Sequence, residues 1–160
     1  KGVVATLSEL KGYEIFEKHI IDGLLKVSEN TGLLGRWQVL QKEPIVVCDT
    51  AHNFEGLSIV LEQLRQQKFD ELHIVLGFVK EKNIDTLMPL FPTGAKYYFV
   101  KPEIPRGLNA NILQSKAKEF GLEGCIYSSV RHAIKTAIQS ARRTDFIFIG
   151  GSTFTVAEVV

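Results

Sequence analysis

The chain has 160 residues, 45% of them hydrophobic and 23% charged, with a formal net charge of +1. That length suits one domain, or one domain with an appendage, and the mix is that of an ordinary globular protein able to bury a core. Near-neutral charge points to neither a nucleic-acid footprint nor a membrane-surface patch, and no apolar run is long enough to span a bilayer.

Cys48 and Cys125 lie far apart, each in or beside an apolar run, and His19, His52, His73 and His132 are scattered. This gives neither a disulfide framework nor metal-ligand spacing; it reads as buried thiols in a reducing compartment, with the cytoplasm as the expected location. The chain opens at Lys1 without a Met and stops at Val160 early in a helix-like run, so a piece of a longer protein is expected.

Val3 to Leu10 and Tyr13 to Val27 carry apolar side chains at helical spacing, separated by Gly12, with His19 on the packed side. Ser28 to Gly32 is a polar break, and the main domain should begin just after it. Trp37 to Leu40 alternates as a short strand and leads through Gln41–Glu43 into Ile45–Cys48, a hairpin-like pair headed by Gly35-Arg36. The glycine there lets the backbone approach something closely.

Asp49-Thr50-Ala51-His52-Asn53 closes the strand, and Asn53 stands where the helix Phe54–Gln67 starts. Asn53 can cap that helix and Asp49 can satisfy a turn, or both can serve a ligand; the residues alone leave this open. Glu71–Phe78 is a buried strand whose His73 should face a solvated edge, and Lys80-Glu81-Lys82-Asn83 precedes a helix that Asn83 can cap and Pro92 stops. Ala95–Val100 is a strand, and Lys101–Leu108 a long loop with two prolines and an exposed Arg106. A helix opened by Asn109 or Asn111 ends at Gly121; a short strand Gly124–Tyr127, a helix capped by Ser128 or Ser129, and the strand Asp145–Ile149 follow. Gly150-Gly151-Ser152-Thr153 then turns toward a helix beginning near Val156. That turn is either an anion nest or a bend that needs glycine.

Strands alternating with helices give an α/β fold with a doubly wound, mostly parallel sheet and helices on both faces. A P-loop, a G-x-G-x-x-G fingerprint and a G-x-S-x-G elbow are all missing from the sequence. What remains at the strand ends is Arg36, Asp49, His52, Asn53, Lys80, Lys82, Arg106 and Ser152, a set suited to an anionic ligand.

Gly35-Arg36-Trp37-Gln38, Asp49-Thr50-Ala51-His52-Asn53, Gly77-Phe78-Val79-Lys80-Glu81-Lys82-Asn83 and Gly150-Gly151-Ser152-Thr153-Phe154-Thr155-Val156-Ala157-Glu158 occur in that order, with Ile21–Val27 ahead of them. Read together they resemble the folylpolyglutamate synthase and dihydrofolate synthase branch of the Mur ligases. The resemblance implies a Rossmann-like C-terminal glutamate ligase domain over residues 33–160 and, over 1–32, the helical tail of a preceding ATPase domain. It implies an enzyme that uses ATP and Mg2+, both held mainly by that other domain, to phosphorylate a folate or dihydropteroate carboxylate, which L-glutamate then attacks to form an amide. In it Asp49 and His52 are catalytic; Arg36, Asp49, Asn53 and Lys82 serve the nucleotide; and His52, Ser152 and Phe154 serve glutamate, with no metal ligand in this chain. Its partners are then L-glutamate, the folate or dihydropteroate and its own ATPase domain, without nucleic acid or membrane. Thr50 and Phe54, Glu81 and Asn83, and Phe154 depart from the family's pattern. Two other readings stand beside it: a Mur-type ligase acting on a cell-wall precursor, and a non-catalytic α/β binding module.

Overall fold

The computed structural model describes residues 2–160. Its contacts separate a helical unit ending at Leu34 from a second unit, Gly35 to Val160. The first contains α1 (Gly2–Ser8), α2 (Glu17–Leu25) and α3 (Val27–Thr31), none with a buried residue. The chain turns at Gly12, where φ is 87°, as expected. The polar break expected at Ser28–Gly32 is instead mostly helix α3, and the break itself shrinks to Gly32, which closes the helix in the left-handed region. His19 is exposed rather than packed, and its Nδ1 accepts the backbone N–H of Phe16 at the start of α2.

The second unit runs β1 (Gln38–Lys42), β2 (Ile45–Cys48), α4 (Phe54–Arg65), β3 (Leu72–Leu76), α5 (Ile84–Leu87) continued by a 3-10 turn, β4 (Lys96–Phe99), α6 (Ala110–Glu119), β5 (Gly124–Ile126), α7 (Val130–Ser140), β6 (Phe146–Gly150) and α8 (Thr153–Ala157). The sheet order is β1-β2-β6-β3-β4-β5, with β1 antiparallel to β2 and every other pair parallel.

Residues of β3 and β6 are buried throughout because both sheet faces are covered, so these strands read as continuous apolar runs rather than alternating ones. Val47, Ile74, Leu76, Phe146 and Phe148 point to one face and pack with Leu57, Leu61 and Leu64 of α4, Met88 and Leu113. Val46, Cys48, Val75, Ile147 and Ile149 point to the other and meet Val130, Ala133 and Ala137 of α7 and Val156 of α8. Each Leu-sized side chain so buried contributes about 1.5–3 kcal/mol before the cost of ordering the chain.

After β2 the chain skips a slot to form β3, moves outward to β5, and only then returns to fill the slot with β6. The reversal brings the carboxyl ends of β2, β6 and β3 side by side, where open α/β sheets bind ligands.

Several expectations are corrected. His73 lies fully buried in β3, between β6 and β4, because the return of β6 places that strand in mid-sheet. Cys125 is exposed because β5 is the edge strand, whereas Cys48 is buried. α8 begins at Thr153, and α4 ends at Arg65. Asn109 and Ser129 are the caps of α6 and α7, while Asn83 begins α5 without using its side chain.

Candidate functional site

The strand ends are built around one buried carboxylate. Asp49 is 5% exposed; its Oδ2 accepts the N–H of Trp37 at 2.7 Å and its Oδ1 that of Ala51 at 2.7 Å. Each oxygen thus holds a different loop. Trp37 has φ 42°, a conformation costly for a bulky residue, and the Asp49 bond together with packing of the indole near Phe146 holds it there. Gly35, at φ 70°, leads into this bend, and a Cβ on it would lie 2.7 Å from Cγ2 of Thr50. Its carbonyl accepts the N–H of Thr50 at 2.9 Å. The bend lifts Arg36 to the surface, where its guanidinium donates to the Thr50 hydroxyl. Beside Asp49, burial and then the carboxylate charge push the Cys48 thiol up to about 11, so it stays protonated and is no nucleophile.

The second loop carries His52, half-buried, with Nδ1 2.9 Å from the Thr50 carbonyl. A carbonyl only accepts, so Nδ1 carries the proton, and Nε2 is the ring nitrogen left to meet a ligand. Asn53 is exposed and its Oδ1 accepts the N–H of Gly56, capping α4.

Between β6 and α8, Ser152 is 2% exposed. Its Oγ accepts the N–H of Thr155 at 3.1 Å and lies 2.8 Å from the Thr155 hydroxyl, which donates to the Gly77 carbonyl at 2.8 Å. Thr155 therefore ties the β6–α8 turn to the end of β3. The fit needs glycine on both sides: a Cβ on Gly77 would be 2.7 Å from Thr155 Oγ1, and one on Gly151, at φ 97°, would be 2.7 Å from the Gly77 carbonyl. Phe154 is half-buried with the Arg106 guanidinium 4.6 Å from its ring centroid, and Lys82, half-buried, follows the same Gly77 strand end.

All of these residues belong to the carboxyl edge of the sheet. Sequence reasoning passed over Trp37, whose backbone N–H is what Asp49 holds, and Thr155. The signal for Thr155 was its place three residues after the capping Ser152, a spacing that lets two side chains meet across a first helical turn.

At the opposite end of the sheet Asp145 does the same work. Its Oδ1 accepts the N–H of Glu71 and its Oδ2 that of Arg142, at 3.1 and 2.6 Å. Burial works to raise its carboxyl, but those two N–H groups and the His73 ring hold it below the usual carboxylate value. His73 Nε2 is 3.6 Å from Asp145 Oδ2 and its Nδ1 is 2.9 Å from the Tyr98 hydroxyl. Burial, the largest influence, lowers the His73 pKa. The ring is therefore neutral, its Nε2 beyond hydrogen-bond distance of the carboxylate and its Nδ1 sharing a hydrogen bond with the Tyr98 hydroxyl. Glu71, His73 and Asp145 bring ligand-type atoms within 4.8 Å of one another, yet Lys96 already pairs with Glu71 at 2.6 Å and the backbone occupies Asp145.

Residues 35–153 match the profile of the family described as Mur ligase, glutamate ligase domain. The chain belongs to that family. Among curated relatives of this Mur ligase domain, the probable bifunctional folylpolyglutamate synthase/dihydropteroate synthase of Haloferax volcanii is 31% identical over 98% of the chain and 18% of its own length. The dihydrofolate synthase/folylpolyglutamate synthase of Escherichia coli is 30% identical over 93% of the chain and 34% of its length. The crystal structure of the bifunctional folylpolyglutamate synthase/dihydrofolate synthase from Yersinia pestis superposes with a TM-score of 0.78 at 28% identity, covering 92% of this chain and 34% of that one. A structure of such an enzyme with Mn, AMPPNP and L-glutamate bound gives 0.77 at 27% identity, over 92% and 35%. The chain thus spans about a third or less of the length of these relatives. Among the described residues no helix is long and apolar enough to cross a membrane.

Proposed function

We propose that the chain is the C-terminal glutamate ligase domain of an ATP-dependent enzyme joining L-glutamate to a folate or dihydropteroate carboxylate. The observation that carries this is the Asp49 carboxylate holding the Arg36 and His52 loops beside the Ser152 turn, at the switch point of a Mur ligase-type sheet. In the reaction a carboxylate oxygen attacks the terminal phosphate of ATP and ADP leaves. The glutamate amine then attacks the acyl phosphate, inorganic phosphate departs, and the nitrogen gives up a proton.

In this reading Arg36 neutralises phosphate charge as it develops. His52 Nε2 faces the incoming amine as an acceptor, Lys82 adds positive charge beside the phosphates, and Asn53 shapes the nucleotide edge from its capping position. Asp49 acts through the backbone it holds and is a positioning residue, as is Ser152, whose buried hydroxyl fixes the turn glutamate would meet. A divalent cation supplies charge neutralisation of the phosphates when bound. Asp49 is buried and already accepts two backbone N–H groups, and in this reading the cation's ligands come from the ATPase domain that the family pairs with this one.

The test is glutamate-dependent ADP release by the full-length ligase with dihydropteroate, a reduced folate or a cell-wall precursor as acceptor. Turnover with a pterin acceptor that collapses in Arg36→Ala and His52→Ala supports the reading. Turnover only with the cell-wall precursor moves the protein to another Mur branch, and no turnover with any of them favours a non-catalytic module.

A further inference from the structure

Thr50 touches both side chains that the Asp49 cradle presents, each through a different group. Its carbonyl accepts from His52 Nδ1 at 2.9 Å, and its hydroxyl accepts from Arg36 Nη1. Its N–H donates to the carbonyl of Gly35, the residue before Arg36, at 2.9 Å. The Asp49 carboxylate meanwhile holds the N–H groups of Trp37 and Ala51, the residues that follow Arg36 and Thr50. Both ends of the Arg36–Thr50 contact are therefore anchored through backbone.

The threonine side chain itself has little freedom. It is 8% exposed, and its β-branch allows few rotamers. Its Cγ2 abuts Gly35 so closely that a Cβ there would lie 2.7 Å from it. With the methyl lodged on that side, the hydroxyl is a fixed post turned toward the guanidinium. Arg36 by contrast is exposed and enters no ion pair among the described residues. A bond through Nη1 leaves Nη2 and Nε to meet an anion, and an arginine already held in place has less rotamer freedom to lose when it does so. Thr50 is also one of the positions at which the sequence departs from the family's pattern, so this hydroxyl is not something the resemblance implies.

We propose that Thr50 is a positioning residue for phosphoryl transfer, its hydroxyl holding the Arg36 guanidinium in the orientation that receives the phosphates of ATP. This rests on the ligase reading above, and the experiment separates the two. In the full-length ligase with saturating pterin acceptor, Thr50→Val keeps the branch and deletes the hydroxyl. It should lower kcat/KM for ATP about three- to ten-fold, the loss of one hydrogen bond at an exposed guanidinium. The KM for glutamate should stay within about two-fold, because the Thr50 carbonyl that holds His52 is untouched. Thr50→Ser, which keeps the hydroxyl and loses the methyl that aims it, should recover most of the loss. The residual kcat/KM for ATP of Arg36→Ala, measured at raised enzyme concentration, should not fall further when Thr50→Val is added, because the hydroxyl acts through the arginine.

An unchanged kcat/KM for ATP in Thr50→Val, a rise in the KM for glutamate instead, or a further fall in the Arg36→Ala background overturns the assignment, while wild-type turnover leaves the ligase reading standing. So does a loss that follows the melting temperature across Thr50→Val and Thr50→Ser, which would make Thr50 a purely structural residue. A wild type without glutamate-dependent ADP release overturns both readings.

Discussion

The two ends of the sheet use the same device for different ends. Asp49 and Asp145 are both buried, and each divides its two carboxylate oxygens between two backbone N–H groups from separate segments. At the amino end the segments held by Asp145 carry His73, which is turned inward against Tyr98, and the charges around it are already paired. At the carboxyl end the segments held by Asp49 carry Arg36 and His52, which face outward. A buried aspartate is therefore no mark of a site in itself; what differs is whether the backbone it holds presents groups that remain free.

The largest expected effects test that comparison directly. Asp49→Ala and Asp145→Ala should each cost about 3 kcal/mol in denaturant unfolding, because each strands two buried N–H groups. Only Asp49→Ala should also abolish glutamate-dependent ADP release under conditions where the variant is folded. Loss of turnover in a folded Asp145→Ala protein would break the distinction. Next in size, Gly151→Ala forces a Cβ into the left-handed region against the Gly77 carbonyl and should cost about 2 kcal/mol. Thr155→Val, which removes the hydroxyl joining Ser152 to Gly77, should cost about 1–2 kcal/mol, together with a rise in the KM for glutamate as the turn loosens.

Smaller still is a pH effect confined to the amino end. His73 titrates below its ordinary value of 6.5 in the fold, so the unfolded chain binds the proton more readily. Stability is full above pH 6.5 and falls as pH drops from there toward the folded value. The slope of unfolding free energy against pH across that window should flatten in a folded His73→Gln variant; a slope unchanged from wild type would show that His73 is not the group responsible. The smallest effect is at the surface: Arg143→Ala, which removes an exposed pair with Glu43, should leave the melting temperature unchanged.

Much of this was legible in the sequence because it is local. The continuous apolar runs of β3 and β6 announce strands covered on both faces, Asn53, Asn109 and Ser129 announce helix starts, and the polar groups after each strand announce the working edge. The ordered Gly-Arg, Asp-x-x-His-Asn and Gly-Gly-Ser motifs carried the family with them. Local pattern likewise fixed the length and spacing of the elements to within a few residues.

Tertiary structure decided which of those groups are free. Asp49 reads in sequence as a turn residue or a ligand, and to the local bond with Ala51 the structure adds one that no spacing announces, to the backbone of Trp37 ahead of β1. His73 reads as an edge residue until the late strand β6 inserts beside β3 and buries it, and Cys125 reads as buried until β5 proves to be the edge. Arg106 reads as one charge in a long loop until that loop folds back on Phe78–Lys80 and sets it over Phe154. The reason is the same in each case. Periodicity and capping are set by neighbours a few residues apart, whereas exposure and hydrogen-bond partners at a switch point depend on strands brought together across the sheet from distant parts of the chain.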